Sequence, residues 1–158
     1  MLHAYEHAAD SFTSTPEERA AEPDSWWVNR IANPLGLTVA LGAFSQEELI
    51  GVVAIEYSAK PKTKHKALVV GMYVMPDWRG KGVAGALMKN VIDHASSNGE
   101  VTVIQLEVTH GNGPATALYE SLGFQPYGIE PMAVLTLGGY VSKVHMWLQL
   151  GGADIKPA

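Results

Sequence analysis

The sequence predicts an α/β domain, a mixed sheet with helices packed on it. Three observations carry that expectation. Helical and strand-like patterns alternate through the middle of the chain, hairpin patterns lie at both ends, and 158 residues suit one domain. With 47% hydrophobic and 17% charged residues the chain can build a sizeable core, which excludes disorder and collagen-like repeats. No internal repeat, linker or low-complexity tract divides it.

Residues 1–35 are polar and interrupted by Pro16, Pro23 and Pro34. Within them Thr15-Pro16-Glu17-Glu18 starts a helix: a capping hydroxyl, Pro at the first helical position, then acids at the positive helix end. A second short helix is expected over 25–31, carrying Trp26 and Trp27, and a weak strand pattern covers 2–5. Runs 37–44 and 49–57 are rich in Val, Ile and aromatics. The polar turn Ser45-Gln46-Glu47-Glu48 between them predicts a hairpin. The basic loop 60–66 reads as a solvated surface.

Residues 67–75 are apolar on both faces, as in a buried strand, and stop at Pro76. A helix is expected over 80–97, because Ala84, Leu87, Met88, Val91, Ile92 and Ala95 form one apolar stripe. Asn98-Gly99 should end it as a left-handed cap. Then come a strand over 101–109, the loop His110-Gly111-Asn112-Gly113, and a short helix from Pro114 to near Gly123. Strands over 133–137 and 143–150, turned at Gly138-Gly139, close the chain.

Composition removes several function classes. A net charge of −5 argues against a nucleic-acid partner held by bulk charge. The absence of cysteine excludes a disulfide framework, a thiol nucleophile and any Cys-based zinc site. The start, MLHAYEHAAD, lacks a basic segment followed by an apolar one, so no secretory signal is read. The longest apolar stretch, 67–75, falls far short of the roughly 20 residues of a membrane helix. The expectation is a soluble, cytoplasmic protein with no membrane partner.

The chemistry concentrates where the buried strand meets the long helix. Glycines at a helix start let backbone N–H groups approach an anion, and the helix dipole adds partial positive charge. A phosphate or pyrophosphate is the natural ligand there. Gly80-Lys81-Gly82-Val83-Ala84-Gly85 formally satisfies G-x-G-x-x-G, the dinucleotide pattern. However, a dinucleotide turn places its first glycine directly after the strand, whereas here Pro76–Arg79 intervene, and the nucleotide P-loop pattern is absent. The local pattern alone leaves the ligand open.

Two longer motifs resolve it by resemblance. V-x-P-x-x-R-G-x-G-x-A, here Val74, Pro76, Arg79, Gly80, Gly82 and Ala84, resembles the acetyl-CoA pyrophosphate motif of the GNAT superfamily of N-acetyltransferases. Downstream, Asn112, Ala115, Leu118, Tyr119, Gly123 and Phe124 resemble that superfamily's N-x-x-A-x-x-L-Y-x-x-x-G-F segment. Both occur in the family's order, and the resemblance covers about 36–150. It implies one N-acetyltransferase domain over 1–158, with an N-terminal helical part over 1–35 and an acetyl-CoA-binding core over 36–150. The implied fold is a mixed, mostly antiparallel sheet with central splayed parallel strands and helices on both faces. The family normally opens with a strand and a long helix; here 1–35 read as only the end of that helix, as if the start were truncated or the first strand missing.

The resemblance implies roles residue by residue. Backbone N–H groups of Gly80, Lys81, Gly82, Val83, Ala84 and Gly85 would hold the pyrophosphate, with further contacts from the Arg79 and Lys81 side chains. Met72, Tyr73 and Val74 would pair with the pantetheine arm as an added strand does, and an amide near Val74 would polarise the thioester carbonyl. Asn112 would face the cofactor arm, and its alternative is a turn residue between glycines. Tyr119, also at the cofactor, would protonate the departing thiolate. Glu107 looks like the glutamate that serves as base in ribosomal-protein N-terminal acetyltransferases; period-2 alternation puts it with Gln105 and Thr109, opposite Ile104, Leu106 and Val108. Glu56 is the reserve base.

The implied reaction moves an acetyl group from acetyl-CoA to a primary amine by direct attack, without an acyl-enzyme. The acceptor is a small-molecule amine or a protein N-terminus or lysine. No metal is expected, since His3 and His7 lack a third ligand. His110 reads as a polar loop residue, and Trp26 and Trp27 as helix packing or acceptor-pocket lining. Exposed C-terminal strands suggest a homodimer. Two rivals stand beside this reading: a non-catalytic acyl-CoA-binding or sensing module, and a small nucleotide-binding protein.

Overall fold

The computed structural model describes residues 2–9 and 12–151, so the outer ends of the single-domain expectation, 1 and 152–158, lie outside the described residues. Three helices come first: α1 (Leu2–His7), α2 (Pro16–Ala20) and α3 (Asp24–Ile31). The hairpin β1 (Thr38–Ser45) and β2 (Glu48–Tyr57) follows, then β3 (Lys66–Val74), α4 (Val83–Ser97), β4 (Val103–Thr109) and α5 (Gly113–Ser121). The hairpin β5 (Gln125–Thr136) and β6 (Gly139–Gln149) ends the fold.

Local chemistry explains the boundaries. Thr15 caps α2 in a complete capping box: Glu18 N–H donates to its hydroxyl at 3.2 Å, and Thr15 N–H donates to the Glu18 carboxylate at 2.8 Å. The helix expected from residue 80 begins at Val83 instead. Gly80 and Gly82 have φ of 71° and 81°, a left-handed backbone that no α-helix can contain. Its other end also differs. Asn98 is extended (φ −84°, ψ 100°) rather than left-handed, because its side chain closes a turn by accepting from Glu100 N–H at 3.2 Å.

Two expectations of the strand pattern are corrected. Residues 2–5 are helical, with Ala4 and Tyr5 buried and His3 stacked on His7 one turn away at 3.9 Å. The strand expected over 133–137 starts at Gln125. It contains Pro126 and Pro131, which only an edge strand tolerates, and it pairs with β6 through register shifts near Pro126 and between Glu130 and Val134.

The sheet has six strands in the order β1-β2-β3-β4-β6-β5. Every neighbouring pair is antiparallel except β3 with β4. That mixed, mostly antiparallel sheet with one central parallel pair is the architecture expected. The parallel ladder is short: Lys66, Ala67 and Leu68 pair with Val103, Ile104 and Gln105, and there it ends. Beyond it β3 stays with β2 as far as Val74, and β4 stays with β6 as far as Thr109. The two central strands splay.

A bulge in β3 accompanies the splay. Between the pairs Val52↔Tyr73 and Ala54↔Val70, β3 spends one residue more than β2, and Gly71 takes φ 65° there. Helices cover both faces. A Cβ on Gly51 would meet Val83 and Leu87 of α4, whereas Tyr73, opposite Val52 and so on the other face, brings its hydroxyl within 3.0 Å of His3 Nδ1 in α1. Ile55, Met88, Ile104, Phe124 and Met146 are fully buried and tie α4 and the sheet into one core. Among the described residues, no helix is long and apolar enough to cross a membrane.

Candidate active site

The splay turns strand edges into a cavity wall. A cavity of about 1000 Å³ is lined by consecutive residues of both diverging strands, 68–72 from β3 and 106–109 from β4. Successive strand residues point to opposite faces, so a cavity touching all of them runs along the edges, through the sheet. Alternate N–H and C=O groups of β3 beyond Leu68 face this gap with no partner strand. An extended ligand can take those bonds as a strand would.

Both helices that follow the splayed strands begin at its open end. The chain leaves β3 through a single 3-10 turn, Pro76–Trp78, and enters α4 at Gly82. No side chain caps that helix, and a Cβ built on Gly80 or Gly82 would meet nothing within 4 Å. The first amides of α4, which have no intrahelical acceptor, therefore face open space with the positive end of the dipole behind them. That is an anion cradle. Arg79 does not reach outward from it: its Nε donates to the Val74 carbonyl at 3.0 Å and its guanidinium lies over the Tyr73 ring. Lys81 lies over Trp78, 4.9 Å from the ring centroid.

Of the residues singled out from the sequence, Met72, Glu107, Asn112 and Tyr119 line the cavity. Tyr73, Val74 and the segment 79–85 lie outside its lining, at the end of β3 and beyond. Asn112 fills the capping role, its Oδ1 accepting from Ala115 N–H at 3.3 Å, while it also lines the cavity. Tyr119 is 6% exposed, and burial pushes its phenol above the ordinary value near 10. The phenol is neutral throughout the physiological range, with a proton to give.

Glu107 approaches from the other face of β4. Its Oε2 accepts from Lys143 Nζ at 2.8 Å, and His145 Nδ1 stands 3.7 Å from Oε1. Both partners come from β6, where Glu107 pairs with His145 and Thr109 with Lys143. Lys143 and His145 went unnoticed in the sequence; alternation places them on one face of β6, but only the β4–β6 register sets them beside Glu107. Gly71 was missed too, although a glycine inside an apolar strand is a bulge signal. The reserve base, Glu56, lies outside the cavity lining and faces Arg30 at 3.5 Å. Trp27 lines the cavity, whereas Trp26 packs between the guanidiniums of Arg19 and Arg30. Among the described residues, no three His, Asp or Glu side chains are grouped to hold a metal ion.

Comparison with known proteins shows the family. The model of the acetyltransferase (GNAT) family matches residues 1–124. The L-amino acid N-acetyltransferase AaaT of Escherichia coli (strain K12) is 31% identical over 123 residues, 78% of this chain and 75% of that protein. The ribosomal protein bS18-alanine N-acetyltransferase of Salmonella typhimurium is 34% identical over 85 residues, covering 54% of this chain and 57% of that enzyme. Among solved structures, yncA from Salmonella typhimurium with its cofactor acetyl-CoA superposes with a TM-score of 0.78. It covers 99% of this chain and 88% of its own at 22% identity, a likeness of fold.

The buried phenol gives an alkaline signature. Its folded-state value is raised, so its contribution to stability is complete below pH 10 and lost as pH rises through the folded value. Wild-type protein should therefore lose melting temperature more steeply than Tyr119→Phe as pH rises above 10, a difference followed by circular dichroism. Parallel curves would mean that the phenol ionises as freely folded as unfolded.

Proposed function

The chain belongs to the GNAT family of acetyltransferases, and from that premise we propose that it transfers an acetyl group from acetyl-CoA to a primary amine by direct attack. One observation carries the reading: a cavity opened by the strand splay is lined by a buried neutral phenol and, from the opposite face of the sheet, by a carboxylate. The sheet's single parallel pair is unlike the doubly wound sheet of dinucleotide-binding proteins, which counts against the nucleotide rival.

The residues present fit acetyl-CoA. Amides of Gly80 through Gly85 at the uncapped start of α4 would take the pyrophosphate, with Arg79 and Lys81 adding positive charge nearby. The free edge at Met72, Tyr73 and Val74 would bond the pantetheine arm. Bound there, acetyl-CoA supplies the acetyl thioester that the amine attacks. Glu107 takes the proton that an ammonium must lose before it is nucleophilic. Lys143 holds that carboxylate in place, and an incoming ammonium competes with it for the same oxygen. Tyr119, shielded from water, keeps its proton for the departing sulfur. An amide of β3 near Val74 would donate to the developing oxyanion.

The same reading extends to assembly. Edge strand β5 exposes Ile129, Met132 and Leu135, apolar side chains that a homodimer would cover. Sedimentation should give twice the chain mass; a single-chain mass at micromolar concentration would remove this part.

Coenzyme A at 100 times its Kd should stabilise the fold by about 2.7 kcal/mol, a visible melting shift. Because Gly82 has φ 81°, any side chain there is strained, so the informative pair is Gly82→Asp against Gly82→Asn. The two share shape and left-handed tolerance and differ in charge. Asp should abolish the shift and Asn retain part of it; no shift in the wild type, or equal shifts in the pair, would remove coenzyme A from this loop.

Catalysis separates from binding in a second pair. Tyr119→Phe should lower kcat about 10²–10⁴-fold while coenzyme A affinity stays nearly level. Glu107→Gln should lose rate most at neutral and lower pH and regain part of it at alkaline pH, where free amine is supplied by solvent. Near-native turnover in both would assign the proton transfers to other groups.

A further inference from the structure

We propose that the acceptor amine carries a carboxylate, and that Arg30, braced on Trp26, is the residue that reads it. The inference rests on the acetyltransferase reading of the same cavity and names its substrate class. It begins with a charge inventory. Among the described residues lining the cavity, the Arg and Lys side chains are Arg19, Arg30 and Lys143, and the carboxylate is Glu107. Lys143 and Glu107 neutralise each other at 2.8 Å. Two guanidiniums remain, in a chain whose net charge is −5. Their own acidic partners, Glu22 at 3.6 Å from Arg19 and Glu56 at 3.5 Å from Arg30, lie outside the cavity lining.

The two guanidiniums are not equivalent. Both lie over the Trp26 ring, with Arg19 4.5 Å and Arg30 4.9 Å from its centroid, so each cation is attracted to the indole. Arg19 is otherwise engaged: its NH2 donates to Ser14 Oγ and its NH1 faces Glu22. Arg30 has its side chain 42% exposed, and its contact with Glu56 is longer than the 2.7–2.9 Å of a charge-assisted hydrogen bond. A substrate carboxylate offers that planar fork two oxygens and the better geometry. The indole attracts the guanidinium beforehand, which lowers the cost of ordering it on binding.

The rest of the cavity selects the same kind of molecule. Glu107 offers an acceptor for the ammonium, while Trp27, Ile31, Phe44 and Leu49 offer apolar contact. A polyamine would bring several ammonium groups towards two guanidiniums, and like charges discriminate against it. An amino acid with an apolar body matches the kinds of group that line the cavity, a carboxylate for the guanidinium and an amine for Glu107.

The test compares amines that differ only in the carboxylate. Acetyl-CoA-dependent thiol release is measured for L-phenylalanine against phenethylamine, for 6-aminohexanoate against hexylamine, and for spermidine. In at least one pair kcat/KM should favour the acid about ten-fold or more, and spermidine should be the poorest substrate. Arg30→Ala should collapse that ratio towards one through KM, with Arg30→Lys restoring part of it. No preference in either pair, or an unchanged ratio in Arg30→Ala, overturns the inference while leaving the transferase reading intact. Should no amine release thiol, calorimetry of N-acetyl-L-phenylalanine and its methyl ester on coenzyme A-saturated protein reads the same choice without turnover. Equal or absent binding of the acid there overturns the inference, whereas failure of coenzyme A itself to bind overturns the transferase reading beneath it.

Discussion

Parallel pairing between β3 and β4 lasts for three residue pairs and then gives way, because each strand has a longer antiparallel neighbour to follow. That divergence is what the rest of the molecule depends on. A sheet that stayed paired to its ends would have satisfied its own backbone and left no space between the strands. Here residues 69–72 and 106–109 line a gap inside the protein, and the bulge at Gly71 helps turn β3 away from β4. The hydrogen-bonding capacity left in the gap is extended and regular, so an extended ligand fits it better than scattered water does.

Connectivity then adds electrostatics to the gap. Strands that run parallel must be joined by a crossover, and the crossover helix α4 starts after the end of β3 that has left β4. Helix α5 starts beside it after β4, capped by Asn112. The two helix starts differ in a telling way. Asn112 satisfies an amide of α5 internally, whereas α4 begins at a glycine with no side-chain cap, so its amides remain available to an anion. At φ 81° position 82 suits glycine, so the extended backbone on which a Ser or Asp cap depends is not formed there.

The titratable groups divide along the sheet. Tyr119 belongs to the buried core on one side, and desolvation keeps its proton in place. On the other side Glu107 is 37% exposed and held by Lys143 and His145 from β6. The neutral donor is dry, while the charged acceptor is partly solvated. Neutral phenol and charged carboxylate thus sit in different surroundings, one in the core and one at a half-open face. The helices before the sheet add a third region, where Arg19 and Arg30 lie over the Trp26 ring at a distance in sequence from both.

What could be read from the sequence was what short stretches determine by themselves. The apolar stripe of α4, the proline and capping box of α2, the stop at Pro76 and the glycines of 80–85 act within a turn or two of chain, so their effects are written locally. Tyr119, Asn112 and Glu107 were legible because motif spacing carried them. Strand β5 was misread in its earlier part, since prolines that would break a central strand are tolerated at an edge, and edge position is a property of the assembled sheet. The left-handed cap at Asn98 failed because a local Asx turn competes with it on equal terms. The partners of Glu107 lie 36 and 38 residues away, and a shift of one residue in the β4–β6 register would have turned them to the opposite face. The length of the β3–β4 ladder, the cavity it opens and the guanidiniums brought to that cavity all depend on long-range pairing and helix docking. Tertiary structure decided these because contacts between distant segments have no energy until the chain has brought them together.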